Sequence, residues 1–100
     1  MSRQVLGESE VEEALAAVDG PHWELIGGKL MKSVACGDFA RALSFVNEVG
    51  RLAEEANHHP DIDIRYNQVT LALLTHDSGG ITQLDLDLAR AIDGVDPGDR

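Results

Sequence analysis

The sequence predicts an α+β chain in which helices and hairpins alternate: helix, hairpin, helix, hairpin, helix. Three observations predict it. Apolar residues recur three or four apart in three stretches, the period of a half-buried helix. Two further stretches hold short apolar segments separated by two turn-forming residues, Gly27-Gly28 and Asn67-Gln68. Residues suited to helix N-caps stand at the start of each helical stretch: Ser9, Asp38 and Thr82.

The first helix follows Ser9-Glu10-Val11-Glu12, a capping box in which Ser9 accepts from the Glu12 amide and Glu12 reaches back. Val11, Leu15 and Val18 give its apolar side, and Asp19-Gly20-Pro21 ends it. The first hairpin joins Trp23–Ile26 to Lys29–Val34, because two glycines accept the positive φ of a tight primed turn. No helix start follows Gly27-Gly28, so it does not read as a phosphate loop.

Asp38 caps the longest helix, Phe39 to Ala56. Phe39, Leu43, Val46, Gly50 and Ala53 form one apolar stripe, widened by Ala42 and Val49, while Phe45, Val49, Leu52 and Ala56 form a second. A surface helix ordinarily needs one such face. Either the extra face meets another subunit, or Phe45 packs against the first helix. After Pro60, Asp61 to Tyr66 alternates strictly, and Val69 to His76 forms its partner strand. A turn at Asn67-Gln68 sets Tyr66 opposite Val69, Ile64 opposite Leu71 and Ile62 opposite Leu73. Continued to the open end, that register sets His59 opposite His76, with Cβ atoms about 4.5–5.5 Å apart. The last helix starts at Thr82, with Asp85 as a cap three residues on. Its apolar side is Ile81, Leu84, Leu88 and Ile92, and Gly94-Val95-Asp96-Pro97-Gly98 ends it.

One hundred residues make a single domain, 1–100, with an ordered core of about 9–93 and loose ends. Hydrophobic residues are 43% of the chain but aromatics only 4%, so the core is aliphatic. The single cysteine, Cys36, excludes an internal disulfide and reads as a packed thiol. A net charge of −10 disfavours nucleic acid. No apolar run approaches the roughly 18 residues of a membrane span, and no leader precedes the first helix. A soluble, cytoplasmic protein is the expectation.

The candidate chemistry lies in Glu54-Glu55-Ala56-Asn57-His58-His59-Pro60 and, across the second hairpin, His76. Glu54 precedes His58 by four residues and shares its helix face, giving the imidazole a carboxylate partner. His76 is followed by Asp77. Imidazoles with acidic neighbours, and no hydroxyl or thiol nucleophile beside them, point to proton transfer near neutral pH. The rival reading is a zinc site built from three histidines and a carboxylate. No His-x-His or His-x-x-x-His spacing supports it, and adjacent residues at a helix–strand junction point apart.

The pattern Glu54-x-x-x-His58-His59-Pro60, then Tyr66, His76 and Asp85, resembles the signature of the pterin-4a-carbinolamine dehydratase family. Asp38-Phe39, Ala53-Glu54, Tyr66-Asn67, Thr75-His76-Asp77 and Leu88-Ala89 are similar too, so the resemblance covers about Trp23 to Ile92. It implies a four-stranded antiparallel sheet with three helices on one face. It implies a homodimer or homotetramer, assembled partly through Phe39–Ala56, that acts on a pterin and needs neither metal nor prosthetic group. The implied reaction dehydrates 4a-hydroxytetrahydropterin to quinonoid dihydropterin, a recycling step for tetrahydropterin. His58 and His76 would be the acid/base pair. His59 would assist and orient the pterin, and Glu54, Asn57, Pro60, Thr75 and Asp77 would help bind it. The alternative on the same fold is a non-catalytic assembly or dimerisation factor. The chain departs from the family at Ile62, Val34 and Cys36, where aromatics are common. A stacking aromatic is therefore expected to be missing from the pocket.

Overall fold

The computed structural model describes residues 4–18 and 20–98. The elements are α1 (Glu8–Ala16), β1 (Glu24–Ile26), β2 (Lys29–Ala35), α2 (Phe39–Ala56), β3 (Asp61–Arg65), β4 (Gln68–Leu73) and α3 (Gln83–Asp93). The strands form one antiparallel sheet in the order β1-β2-β4-β3, so the two hairpins join through β2 and β4. Fold class and element order are those expected. Among the described residues no helix is long and apolar enough to cross a membrane.

Alternation decides which face of the sheet is covered. Leu30, Val69, Leu71 and Leu73 are buried beneath the helices, and register sets Val34, Ile62 and Ile64 on the same side. Met31, Ser33, Thr70 and Ala72 occupy the other side, with the charged Asp61, Asp63 and Arg65 at its edge. α2 contributes Ala42, Phe45, Val49 and Ala53 to the core, and α3 contributes Leu86, Leu88, Ala89 and Ile92. Phe45 belongs to this core, whereas Phe39 and Leu43 remain 48% and 41% exposed.

The first hairpin turns as expected, with φ of +58° at Gly27 and +79° at Gly28. Elsewhere the structure departs from the sequence reading. α1 starts two residues early: Gly7 is its N-cap and its N–H donates to Glu10, so Ser9 and Glu12 do not form the expected box. A glycine offers no side-chain cap, and Glu10 at N3 satisfies the free amide instead. The helix closes at Ala16, leaving Val18 fully exposed. Asp19 lies outside the described residues.

The second hairpin is offset by two residues. Its turn is Tyr66-Asn67, with Tyr66 at φ +53°, and Ile64 pairs with Val69 and Ile62 with Leu71. An offset of two preserves which side chains share a face, so the apolar pairing is as good in either register. The ladder stops at Asp61 and Ala72, short of the histidines.

Both ends of the chain also carry contacts. The Leu6 N–H donates to the Ile81 carbonyl (2.8 Å), and the Gly37 N–H to the Gly98 carbonyl (2.8 Å). Asp93, at the end of α3, accepts from the His22 N–H (2.7 Å), Trp23 Nε1 (2.8 Å) and Lys32 Nζ (2.6 Å). It ties α3 to the first hairpin.

Candidate active site

The end of α2 and the end of β4 open onto one pocket. α2 stops because Asn57 adopts the left-handed conformation (φ 50°, ψ 43°), which asparagine tolerates better than most residues. The Asn57 and His58 N–H groups fold back onto the Ala53 and Glu54 carbonyls and close the helix. This reversal separates His58 from the helical spacing. Glu54 and His58 therefore do not pair, contrary to the expectation from their i,i+4 positions. His58 turns inward, and Glu54 meets His59.

His58 is 7% exposed, and its Nε2 lies 2.5 Å from Asp85 Oδ1. Asp85 is fully buried. Its Oδ2 accepts from the Thr75 hydroxyl (2.7 Å) and the Thr82 N–H (2.9 Å). The Thr75 and Thr82 hydroxyls are 2.8 Å apart, and Thr82 Oγ1 also accepts from the Leu84 N–H (3.2 Å). A buried carboxylate is tolerated only where its oxygens are satisfied. Here both are, and no buried side-chain nitrogen or oxygen among the described residues lacks a partner.

His59 is exposed, with Nε2 2.5 Å from Glu54 Oε2. An ion pair in this setting contributes little to stability; its effect is to hold the ring at the rim. Asn57, His58, His59, Leu74, Thr75, His76 and Asp77 line an open pocket of about 280 Å³. The structure therefore brings His59 and His76 to one cavity, although the hairpin register does not place them opposite each other. In the observed register the continuation would set Asn57 against His76, beyond the last ladder pair. Glu54 reaches the pocket only through His59, and Pro60 is not part of its wall.

Asp85 does more than the helix cap expected of it. It does cap α3, as expected, yet the same carboxylate holds His58 across 27 residues of sequence. Its signal was present: an acid between Leu84 and Leu86, both buried, is out of place unless paired. Thr82 likewise both caps α3 and shares a buried hydroxyl contact with Thr75. Val34, Cys36 and Ile62, where aromatics are common in the family, are not among the residues lining the histidine pocket. The two adjacent imidazoles face different carboxylates. Among the described residues, no group of three or more His, Cys, Asp or Glu side chains is placed as metal ligands. A larger cavity, about 410 Å³, lies between α2 and the C-terminal segment and contains no histidine.

The family model described as pterin 4 alpha carbinolamine dehydratase matches residues 4–95. A protein of Chloroflexus aurantiacus with a provisional pterin-4-alpha-carbinolamine dehydratase name is 49% identical over 90 residues, covering 90% of this chain and 95% of its own. One from Acidobacterium capsulatum, provisionally named likewise, is 49% identical over 85 residues, covering 85% and 90%. Among solved structures, a transcriptional coactivator/pterin dehydratase from Brucella melitensis superposes with a TM-score of 0.81 at 36% identity, covering 90% of this chain and 96% of that one. A pterin dehydratase-like RuBisCO assembly factor of the alpha-carboxysome, 24% identical with a TM-score of 0.58 over 74% and 92% of the two chains, shares the fold.

Proposed function

The chain belongs to the pterin 4 alpha carbinolamine dehydratase family, and we propose from that premise that it dehydrates a 4a-hydroxytetrahydropterin by histidine acid/base catalysis. The observation that carries this reading is the convergence of His58, His59 and His76 on one pocket, with carboxylates behind the first two. The Thr75 hydroxyl in the same wall is committed to Asp85 and Thr82, and Cys36 is buried outside it, so no free nucleophile competes.

In the proposed reaction the C4a–O bond breaks with its electron pair leaving on oxygen. An imidazolium protonates that oxygen, and water departs. The N5–H bond gives its electrons to a C4a=N5 double bond, and its proton passes to an imidazole acting as base. His58 and His76 form the acid/base pair, and His59, held by Glu54, orients the ring. Asn57 and Asp77 supply polar contacts at the rim. Proton transfer to and from fixed groups needs no prosthetic group and contributes about 10²–10⁴-fold.

A homo-oligomer is part of the proposal. Phe39, Leu43, Val46 and Gly50 recur along α2 at helical spacing, and the first two are exposed apolar residues outside the core. A second copy would cover them.

The test is dehydration of synthetic 4a-hydroxytetrahydropterin by the purified protein. The wild type should outpace buffer, and His76→Ala should lower the rate by at least about 100-fold. Wild-type rates equal to buffer would refute the enzyme and favour a scaffold on the same fold.

A further inference from the structure

We infer that Asp85 is a positioning residue that locks His58 in its Nε2–H tautomer, so that Nδ1 is the nitrogen through which His58 exchanges protons in the pocket. The inference rests on the dehydratase reading for its catalytic consequence, but its structural half stands on hydrogen-bond accounting.

The Leu84 N–H can only donate, and it donates to Thr82 Oγ1. The Thr82 N–H can only donate, and it donates to Asp85 Oδ2. Thr75 gives its single hydroxyl proton to the same oxygen, so between the two hydroxyls Thr82 is the donor and Thr75 the acceptor. Oδ2 is then filled by two donors. An ionised carboxylate accepts only, and Oδ1 has the His58 ring 2.5 Å away. With Asp85 ionised, the proton of this bond sits on His58 Nε2. In the neutral ring the other nitrogen, Nδ1, is left bare. Nε2 faces the buried carboxylate, and His58 itself lines the pocket, so Nδ1 is the ring nitrogen left for the pocket side. A ring nitrogen held as an acceptor can take the N5 proton without first turning over. When the ring is doubly protonated, the same atom can give that proton to the leaving oxygen.

Thr75 and Thr82 complete the device. Thr75 lines the pocket, but its hydroxyl serves Asp85, and both threonines are fully buried. Their bonds fix the carboxylate plane, and the plane fixes the imidazole.

Asp85→Asn tests this without altering shape. The Thr82 N–H forces the amide oxygen to stay at the Oδ2 position. The amide NH₂ is thereby presented to His58 Nε2, which must become an acceptor, and the ring proton moves to Nδ1. Two readouts follow. In ¹⁵N–¹H correlation spectra of the neutral ring, wild-type His58 should show protonated Nε2 and bare Nδ1, and Asp85→Asn should show the reverse. With 4a-hydroxytetrahydropterin, Asp85→Asn should lower kcat by about 100-fold or more, the range of acid–base contributions, with KM changed less than about threefold. A wild-type spectrum with the proton on Nδ1 overturns the inference, as does an Asn variant with wild-type kcat. The wild-type spectrum needs no variant to fold. A wild type without any turnover would instead refute the dehydratase reading, while the spectrum still decides the tautomer.

Discussion

Asp93→Ala should destabilise the protein by about 1.5–5 kcal/mol, and the structure apportions that loss. The carboxylate accepts three hydrogen bonds from three different places: the His22 backbone, the Trp23 indole and the Lys32 ammonium. Trp23 is only 5% exposed, so its N–H would be left without an acceptor or accessible water, at about 1–3 kcal/mol. The His22 N–H bond is exposed and water can replace it, so it adds about 0.5–1 kcal/mol. The Lys32 ion pair, with side chains 24% and 17% exposed, adds about 0–1 kcal/mol. Urea unfolding followed by the fluorescence of Trp23, the single tryptophan, reports directly on the perturbed contact. At about 4–8 °C per kcal/mol, the melting midpoint should drop by at least about 6 °C. The pH dependence has a definite sign. Partial burial pushes the Asp93 carboxyl up, but donation from Lys32, the His22 N–H and Trp23, with the Lys32 charge, outweighs it and holds the group below its ordinary value. The clasp therefore contributes fully above the unfolded pKa of about 3.9 and is lost as pH falls through the lower folded value. The gap between wild type and Asp93→Ala should narrow below about pH 4. A loss under about 0.5 kcal/mol at pH 7, or a gap that widens in acid, would show that Asp93 does not clasp α3 to the first hairpin.

Other expectations follow from single contacts. Leu43→Glu places a charge on the exposed α2 stripe and should lower the solution mass in light scattering while leaving the circular dichroism spectrum unchanged; an unaltered mass would remove α2 from the interface. Gly37→Ala would set a Cβ 2.5 Å from the Gly98 carbonyl oxygen, so that backbone has to be displaced and its bond to the Gly37 N–H broken. It should free the Val95–Gly98 segment, seen as faster hydrogen exchange at the Gly37 amide and the residues beyond Gly94. Glu54→Gln should leave stability within about 0.5 kcal/mol because the His59 pair is exposed, while raising KM more than it lowers kcat. A larger loss in kcat would assign Glu54 a direct part in proton transfer.

Much of the molecule was legible because its determinants are local. The helix periodicities, the Asp38 cap and the Gly27-Gly28 turn each depend on residues a few positions apart, and α2 runs from Phe39 to Ala56 as its pattern predicts. The histidines were found the same way, as an unusual density of one residue type. What failed was of two kinds. The hairpin register failed because alternation has a period of two, and an offset of two residues leaves every apolar side chain on its own face. The Glu54–His58 pairing failed because one backbone angle, the positive φ of Asn57, ended the helix before the spacing could apply.

The alternation of elements, the aliphatic core and the set of imidazoles available for chemistry follow from residue types and spacings along the chain. Which carboxylate serves which imidazole depends instead on how the elements pack. Asp85 reaches His58 because α3 packs its N-terminus beneath the end of α2, and two threonines from different segments satisfy the oxygen that His58 leaves open. Hydrogen bonds between buried groups are selected by the full set of neighbours competing for each proton. That competition has no periodicity along the chain and exists only once the elements are packed together.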